Sequence, residues 1–137
     1  KPFIDATYRT LPGRADTFVM GSSMGGLISQ YAMSRYPDVF GGAGCVSTHW
    51  PAGNGIALDD FAAHLPDPAT HRYWFDYGTR TLDAGYEPYQ QRADEILRKA
   101  GYVEGQNWIT RKFEGAEHSE KAWRVRVHQP LEFLLGR

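Results

Sequence analysis

Residues 17–34 read TFVMGSSMGGLISQYAMS, and this stretch decides the fold of the 137-residue chain. Residues 17–20 form a short apolar run typical of a buried parallel strand, and residues 26–34 carry apolar side chains at helical spacing. Small residues on both sides of Ser23 let the chain reverse sharply without a clash of Cβ atoms, so this serine would stand exposed above the sheet. The stretch therefore predicts a strand, a tight turn centred on Ser23 and a helix.

A serine in such a turn is typical of the nucleophile of a serine hydrolase. The N–H of Met24 would lie at the N-terminus of the following helix, where free donors and the helix dipole favour an oxyanion. Two other interpretations are open, a Gly/Ser-rich connection without a catalytic role and a phosphate-binding loop. The phosphate loop is disfavoured because the turn lacks both the lysine of a P-loop and a G-x-G-x-x-G pattern. We predict Ser23 as the nucleophile and Met24 as an oxyanion donor.

Two later segments with the character of strands each run into a loop that carries a titratable side chain. Residues 72–77 precede a loop that contains Asp83, and residues 107–113 precede a loop that contains His118. The order serine, acid, histidine is that of the alpha/beta-hydrolases, in which the histidine is the general base and the acid orients it. We predict His118 as the base and Asp83 as the acid. Asp76, inside the apparent strand, is the alternative acid.

His49 also follows an apolar run and so lies at a strand end. It precedes both candidate acids in the chain, which does not fit the order required of the base. We expect it to line the substrate pocket together with Trp50. The histidines have no cluster of ligand-type neighbours, so we expect neither a metal site nor a cofactor.

Several segments in combination resemble one family of hydrolases. They read FVMGSSMGGL at residues 18–27, YPDVF at residues 36–40 and GAEH at residues 115–118, with Trp-Arg at residues 123–124. Together they resemble the putative esterase family of alpha/beta-hydrolases, which contains enterochelin-esterase-like, S-formylglutathione-hydrolase-like and feruloyl-esterase-like enzymes. The similarity extends over nearly the whole chain.

The resemblance implies roles for three residues. Ser23 matches the family's nucleophile and His118 its base. The acid of the family lies in a Gly-Thr-x-Asp segment, which is matched by Gly78-Thr79 with Asp83, here with two additional residues between them.

The resemblance also bears on the extent of the domain. Several strands precede the nucleophile in this family, whereas residues 1–14 of this chain read as a polar helix or turn. We therefore expect an α/β fold, the C-terminal half of an alpha/beta-hydrolase, as one partial domain over residues 1–137 without the N-terminal strands. The second oxyanion donor, which the family supplies from the loop after an early strand, would be absent.

About four parallel strands with flanking helices are expected in this fold. They lie near residues 17–20, 42–47, 72–77 and 107–113. An apolar stripe over residues 123–134 predicts a last helical region, which Pro130 should divide into two segments. The edge of the first strand would be free to pair, so we expect association with a separate N-terminal half or with a second copy.

Composition excludes several other classes of partner. The 15 basic and 16 acidic residues are scattered and give a net charge of −1, which argues against nucleic acid. No apolar run approaches the roughly 18 residues of a membrane span, so no membrane partner is expected. The single cysteine, Cys45, lies in an apolar run and is expected to be buried. Cytoplasmic and secreted locations both stay open.

The sequence thus predicts a serine-dependent hydrolase of small carboxylic esters that acts through an acyl-enzyme. Acyl transfer to another alcohol would use the same residues, so an acyltransferase stays open. The alternative from a different class is a non-catalytic half-domain that only assembles with a partner. The complete set of Ser23, Asp83 and His118 argues against that alternative.

Overall fold

The sheet of this protein has four parallel strands in the order of the chain. A computed structural model describes residues 1–136. The strands are β1 (Phe18–Ser22), β2 (Gly42–Val46), β3 (Arg72–Gly78) and β4 (Trp108–Phe113). They are arranged β1-β2-β3-β4, and each neighbouring pair is parallel. The prediction of four parallel strands is confirmed.

Six α-helices accompany the sheet within the described residues 1–136. They are α1 (Pro2–Thr7), α2 (Met24–Arg35), α3 (Ile56–Ala63), α4 (Glu87–Lys99), α5 (Glu120–Arg124) and α6 (His128–Leu135). Because parallel neighbours need a crossover connection, α2, α3 and α4 lie between successive strands. The fold is therefore a partial α/β fold with flanking helices.

The two faces of the sheet carry different helices. On one face, side chains of β2 and β3 pack with α2, α3 and α4 in a core built around Met33, Phe61, Tyr73 and Phe75. The ring of Phe61 meets that of Tyr73 edge-on at 5.4 Å between centroids. On the other face, α6 packs against β2 and β3. Both faces of the central strands are covered, which explains why β2 and nearly all of β3 are buried.

Small residues in β2 let α6 lie close to the sheet. A Cβ atom at Gly44 would be 3.2 Å from Leu134 Cδ1 and 2.6 Å from Met20 Cγ.

Cys45, between the two covered faces, is fully buried as expected. β1 is an outer strand of the sheet within residues 1–136, and Met20 on it is 37% exposed.

The division of the last helical region differs from the prediction. The break lies at residues 125–127, between α5 and α6, and Pro130 lies inside the first turn of α6. A proline is tolerated there because the N–H groups of a first helical turn have no partner within the helix. Pro130 therefore helps to start α6 and does not interrupt it.

The close approach of β1 to α2 gives a first prediction. Gly21→Ala is expected to lower the free energy of unfolding by about 1–3 kcal/mol, since overpacking forces the backbone apart. The added methyl would lie 2.6 Å from the carbonyl carbon and oxygen of Gly25. Gly25→Ala is the matched control, because a Cβ there meets no heavy atom within 4 Å. Urea unfolding followed by circular dichroism measures both, and equal stabilities would contradict the close approach.

Candidate active site

Ser23 occupies the single-residue junction between β1 and α2. Its backbone has φ 58° and ψ −120°, a conformation that L residues rarely adopt and that costs about 1–3 kcal/mol. Hydrogen bonds hold this backbone on both sides: Ser23 N–H donates to the Val46 carbonyl at 2.8 Å, and the Ser23 carbonyl accepts from the N–H of His49 at 3.2 Å. The junction is therefore the sharp strand-to-helix turn that the sequence predicts.

His118 lies in the loop after β4 and contacts the serine. Its Nε2 is 2.8 Å from Ser23 Oγ, and its Nδ1 is 2.6 Å from Asp83 Oδ1. The backbone N–H of His118 donates to Thr81 Oγ1 at 2.8 Å, which fixes the loop. The imidazole also meets the Trp123 ring edge-on, with centroids 4.9 Å apart. Hydrogen bonds at both nitrogens and the contact with Trp123 therefore fix the orientation of the His118 ring.

Asp83 lies in a short 3₁₀ turn that follows β3, and it is buried. Its Oδ2 accepts hydrogen bonds from the Gly78 N–H at 2.5 Å and from Ser47 Oγ at 2.6 Å. The structure therefore brings Ser23, His118 and Asp83 into one hydrogen-bonded line. Their catalytic roles stay predictions at this point.

Asp76, the alternative acid, lies on β3 and does not contact His118. Its carboxylate pairs with Arg126 at 2.8 Å and accepts from Trp74 Nε1 at 2.8 Å. Burial raises the pKa of Asp76, and the Arg126 charge partly counteracts that rise. His118 bonds to Asp83 and not to the carboxylate of Asp76. The geometry therefore favours Asp83 over Asp76 as the acid that orients the histidine.

Met24 is the first residue of α2, next to the serine. Its N–H belongs to the first helical turn and has no carbonyl one turn earlier in the helix to bond. The position is that expected of an oxyanion donor, and the role stays a prediction.

His49 lies beside Ser23, whereas Trp50 does not line an open site. The Nδ1 of His49 is 2.5 Å from the Tyr86 hydroxyl. Burial, and to a lesser degree the charge of Asp83, raises the pKa of Tyr86, so the phenol keeps its proton and can donate it to that nitrogen. The indole of Trp50 is only 1% exposed and packs in the core against Phe61 and Phe75. The expectation that Trp50 lines the substrate pocket is thus corrected.

Residues 1–136 contain no group of three or more His, Cys, Asp or Glu side chains arranged to hold a metal ion. Among the helices of the described part of the chain, none is both long and apolar enough to cross a bilayer.

Several residues around the site were not found by sequence reasoning. Ser47, Thr81 and Arg126 contact the predicted residues or their partners, yet each comes from a segment without a recognisable motif. A polar residue directly after a strand, as Ser47 is after β2, was the only available signal.

The fold and the family match define the class of protein. A parallel sheet with helices on both faces, and a serine at the strand-to-helix turn, form a partial alpha/beta fold that matches those of esterases and other hydrolases. The chain belongs to the family described as "Putative esterase", whose family model matches residues 1–134. The resemblance seen in the sequence is confirmed.

Three similar proteins show how far the likeness extends. The uncharacterized protein YbbA of Bacillus subtilis (strain 168) is 24% identical over 142 residues, which cover 99% of this chain and 56% of YbbA. The enterobactin esterase FES from Shigella flexneri, in its structure in the presence of enterobactin, has a TM-score of 0.79 at 23% identity; the match covers 97% of this chain and 34% of FES. FphF, a fluorophosphonate-binding serine hydrolase of Staphylococcus aureus, has a TM-score of 0.76 at 13% identity. The match covers 99% of this chain and 60% of FphF. The chain thus spans only part of the length of each.

The buried pair of Asp76 and Arg126 gives a second prediction. Arg126→Met is expected to destabilise the protein by about 3–5 kcal/mol at neutral pH, because it leaves the carboxylate of Asp76 buried without a counter-charge. The pKa of Asp76 in the folded variant then rises further above its unfolded value. The loss is therefore largest above that raised pKa and shrinks as the pH falls through it.

Urea unfolding at neutral pH and at about pH 5 measures the effect. Lys112→Met is the control, because Lys112 pairs with Glu87 at 3.0 Å on the surface, where the solvent screens the charges. A loss for Arg126→Met that stays constant with pH would contradict the argument.

Proposed function

We propose that this protein is a serine-dependent carboxylic ester hydrolase that acts through an acyl-enzyme. The observation that carries the proposal is the continuous line of hydrogen bonds from Ser23 Oγ through the His118 ring to Asp83. A serine hydroxyl is a weak nucleophile until a base takes its proton, and this line supplies a base with a fixed orientation. Membership of the esterase family supports the same reaction.

In the first half of the reaction, Ser23 Oγ attacks the ester carbonyl carbon while His118 Nε2 takes the hydroxyl proton. Asp83 stabilises the resulting imidazolium at Nδ1. The oxyanion of the tetrahedral intermediate accepts from the Met24 N–H. The intermediate then collapses, the bond to the alcohol oxygen breaks, and His118 returns its proton to the departing alcohol.

In the second half, water attacks the acyl-enzyme and His118 takes its proton. The acid leaves and Ser23 regains its hydrogen. Another alcohol in place of water would give acyl transfer by the same residues. His49, whose backbone N–H donates to the Ser23 carbonyl, offers a half-buried imidazole to a small-molecule ester, and the buried Tyr86 hydroxyl bonds to its Nδ1. The proposal involves no cofactor.

A non-catalytic role is the less favoured alternative. The positive φ of Ser23 is costly for a residue other than glycine, and such strain is retained mainly at functional sites. A module that served only for assembly would need neither this backbone nor the buried carboxylate of Asp83 behind the histidine.

Labelling with a fluorophosphonate tests the proposal directly. We expect a single covalent adduct by intact-mass measurement, and no adduct with Ser23→Ala, because the reagent reacts only with an activated serine. The absence of an adduct on the folded, unsubstituted chain would contradict the proposed activity for this chain.

Two matched amide variants test the acid. Asp83→Asn should slow labelling roughly 10³-fold or more, since the amide no longer holds the productive tautomer of His118. Asp76→Asn should lower stability but slow labelling far less. An equal loss of rate in both variants would contradict the assignment of Asp83.

We further propose that the outer edge of β1 pairs with another chain, either a separate N-terminal half or a second copy. β1 has one hydrogen-bonded neighbour among the described residues, so its other edge presents unpaired backbone groups. Such a partner could also supply a second oxyanion donor next to Met24.

Sedimentation velocity tests this association. We expect the purified chain to sediment at about twice the monomer mass, or to sediment faster than the monomer once a separate N-terminal half is added. Met20→Lys places a charge on the edge strand and should favour the monomer, since lysine blocks edge pairing. Ile28→Lys, on an exposed part of α2, is the control. A monomer under all conditions would rule out edge pairing.

A further inference from the structure

We propose that Ser47 is a positioning residue for the reaction, which holds Asp83 in the orientation that His118 requires. This inference rests on the proposed function. Ser47 follows the last residue of β2, its side chain is completely buried, and its backbone has φ 43°. Ser47 takes no part in the proposed catalytic steps.

The hydrogen bonds of Ser47 Oγ have only one possible direction. The hydroxyl lies 2.6 Å from Asp83 Oδ2, 3.0 Å from Trp123 Nε1 and 2.7 Å from an Arg126 Nη. Indole and guanidinium nitrogens can only donate, and an ionised carboxylate can only accept. The single proton of Ser47 must therefore point to Asp83, while both of its lone pairs are used. These three partners fix the orientation of a hydroxyl group that would otherwise rotate.

The fixed orientation of the Ser47 hydroxyl determines which oxygen of Asp83 faces the histidine. Oδ2 accepts from Ser47 and from the Gly78 N–H, on two different strand ends. Only Oδ1 is left for the Nδ1–H of His118. Without Ser47, Oδ2 would keep the Gly78 N–H as its one donor, and the carboxylate could then rotate more freely about its Cβ–Cγ bond.

Arg126 adds charge to this arrangement. Its guanidinium bonds to Ser47 Oγ and to Asp76 Oδ1, and it lies 4.7 Å from the centroid of the Phe113 ring. A charged donor on the Ser47 oxygen strengthens the hydrogen bond that the same hydroxyl donates onward. Asp76, the alternative acid in the sequence, thus serves as the counter-ion of the arginine that orders Ser47.

The backbone of Ser47 supports a functional reason for its side chain. At φ 43° glycine would be the unstrained residue, yet a hydroxyl-bearing residue lies there in full burial. Strain of this kind persists where the surroundings impose it, and here they impose it through four polar partners of one residue.

Two variants separate positioning from stability. Ser47→Ala removes the hydroxyl and keeps the strain, whereas Ser47→Gly removes both and should be the more stable of the two. We expect both to slow fluorophosphonate labelling of Ser23 by roughly 10- to 100-fold, the range expected when a hydrogen bond to a charged group is lost. Thr48→Val is the control, because it removes the neighbouring buried hydroxyl, which bonds to the Cys45 carbonyl.

A spectroscopic readout makes the test independent of activity. Proton NMR should show a far-downfield resonance from the Nδ1–H of His118 bonded to Asp83. It should be unchanged in Thr48→Val, and shifted or lost in both Ser47 variants. If the unsubstituted protein is not labelled but the resonance responds in this way, the proposed activity fails and the positioning role stands.

Other results overturn the inference. One is a resonance and a labelling rate in both Ser47 variants that equal those of the unsubstituted protein. Another is the absence of the downfield resonance from the unsubstituted protein. A third is an equal change in Thr48→Val, which would assign the effect to general loosening of the segment after β2.

Discussion

The close approach of two glycine backbones, Gly21 in β1 and Gly25 in α2, is the constraint on which the rest of this structure depends. The backbone of Gly21 approaches that of Gly25 so closely that a Cβ atom would overlap it, and Gly26 lies against the Val46 carbonyl and Thr48. Only with these contacts can the helix begin one residue after Ser23. The strained serine, its position above the sheet and the free N–H of Met24 all follow from this approach.

The order of the sheet then assembles the site. In a parallel sheet all strands end at the same edge, so the residues after them meet there. Each strand contributes one residue: Ser23 follows β1, Ser47 follows β2, Asp83 lies in the turn after β3, and His118 lies in the loop after β4. The apolar runs and glycine turns of the sequence were sufficient to predict the strands. They did not locate the break before α6, because Pro130 is compatible with both the start and the interruption of a helix.

The candidate site was predictable where chain order and strand ends determine position, and unpredictable where side-chain direction decides. Asp83 and Asp76 were both plausible acids, but the turn after β3 brings Asp83 to His118, whereas Asp76 on the strand itself pairs with Arg126. Trp50 was expected at the pocket because it follows a strand, but its indole turns into the core, where Gln90 accepts its N–H. Ser47 carries no motif, because its role depends on partners far away in the chain.

Those distances along the chain have a consequence for synthesis. The hydrogen bond between Ser23 and His118 joins residues 95 positions apart, and that between Ser47 and Arg126 joins residues 79 positions apart. A ribosome releases the turn around Ser23 long before it has made His118, so the nascent chain carries an exposed serine without its histidine. The hydrogen-bonded line is therefore completed only after translation has passed His118, and a product that terminates before this residue lacks it.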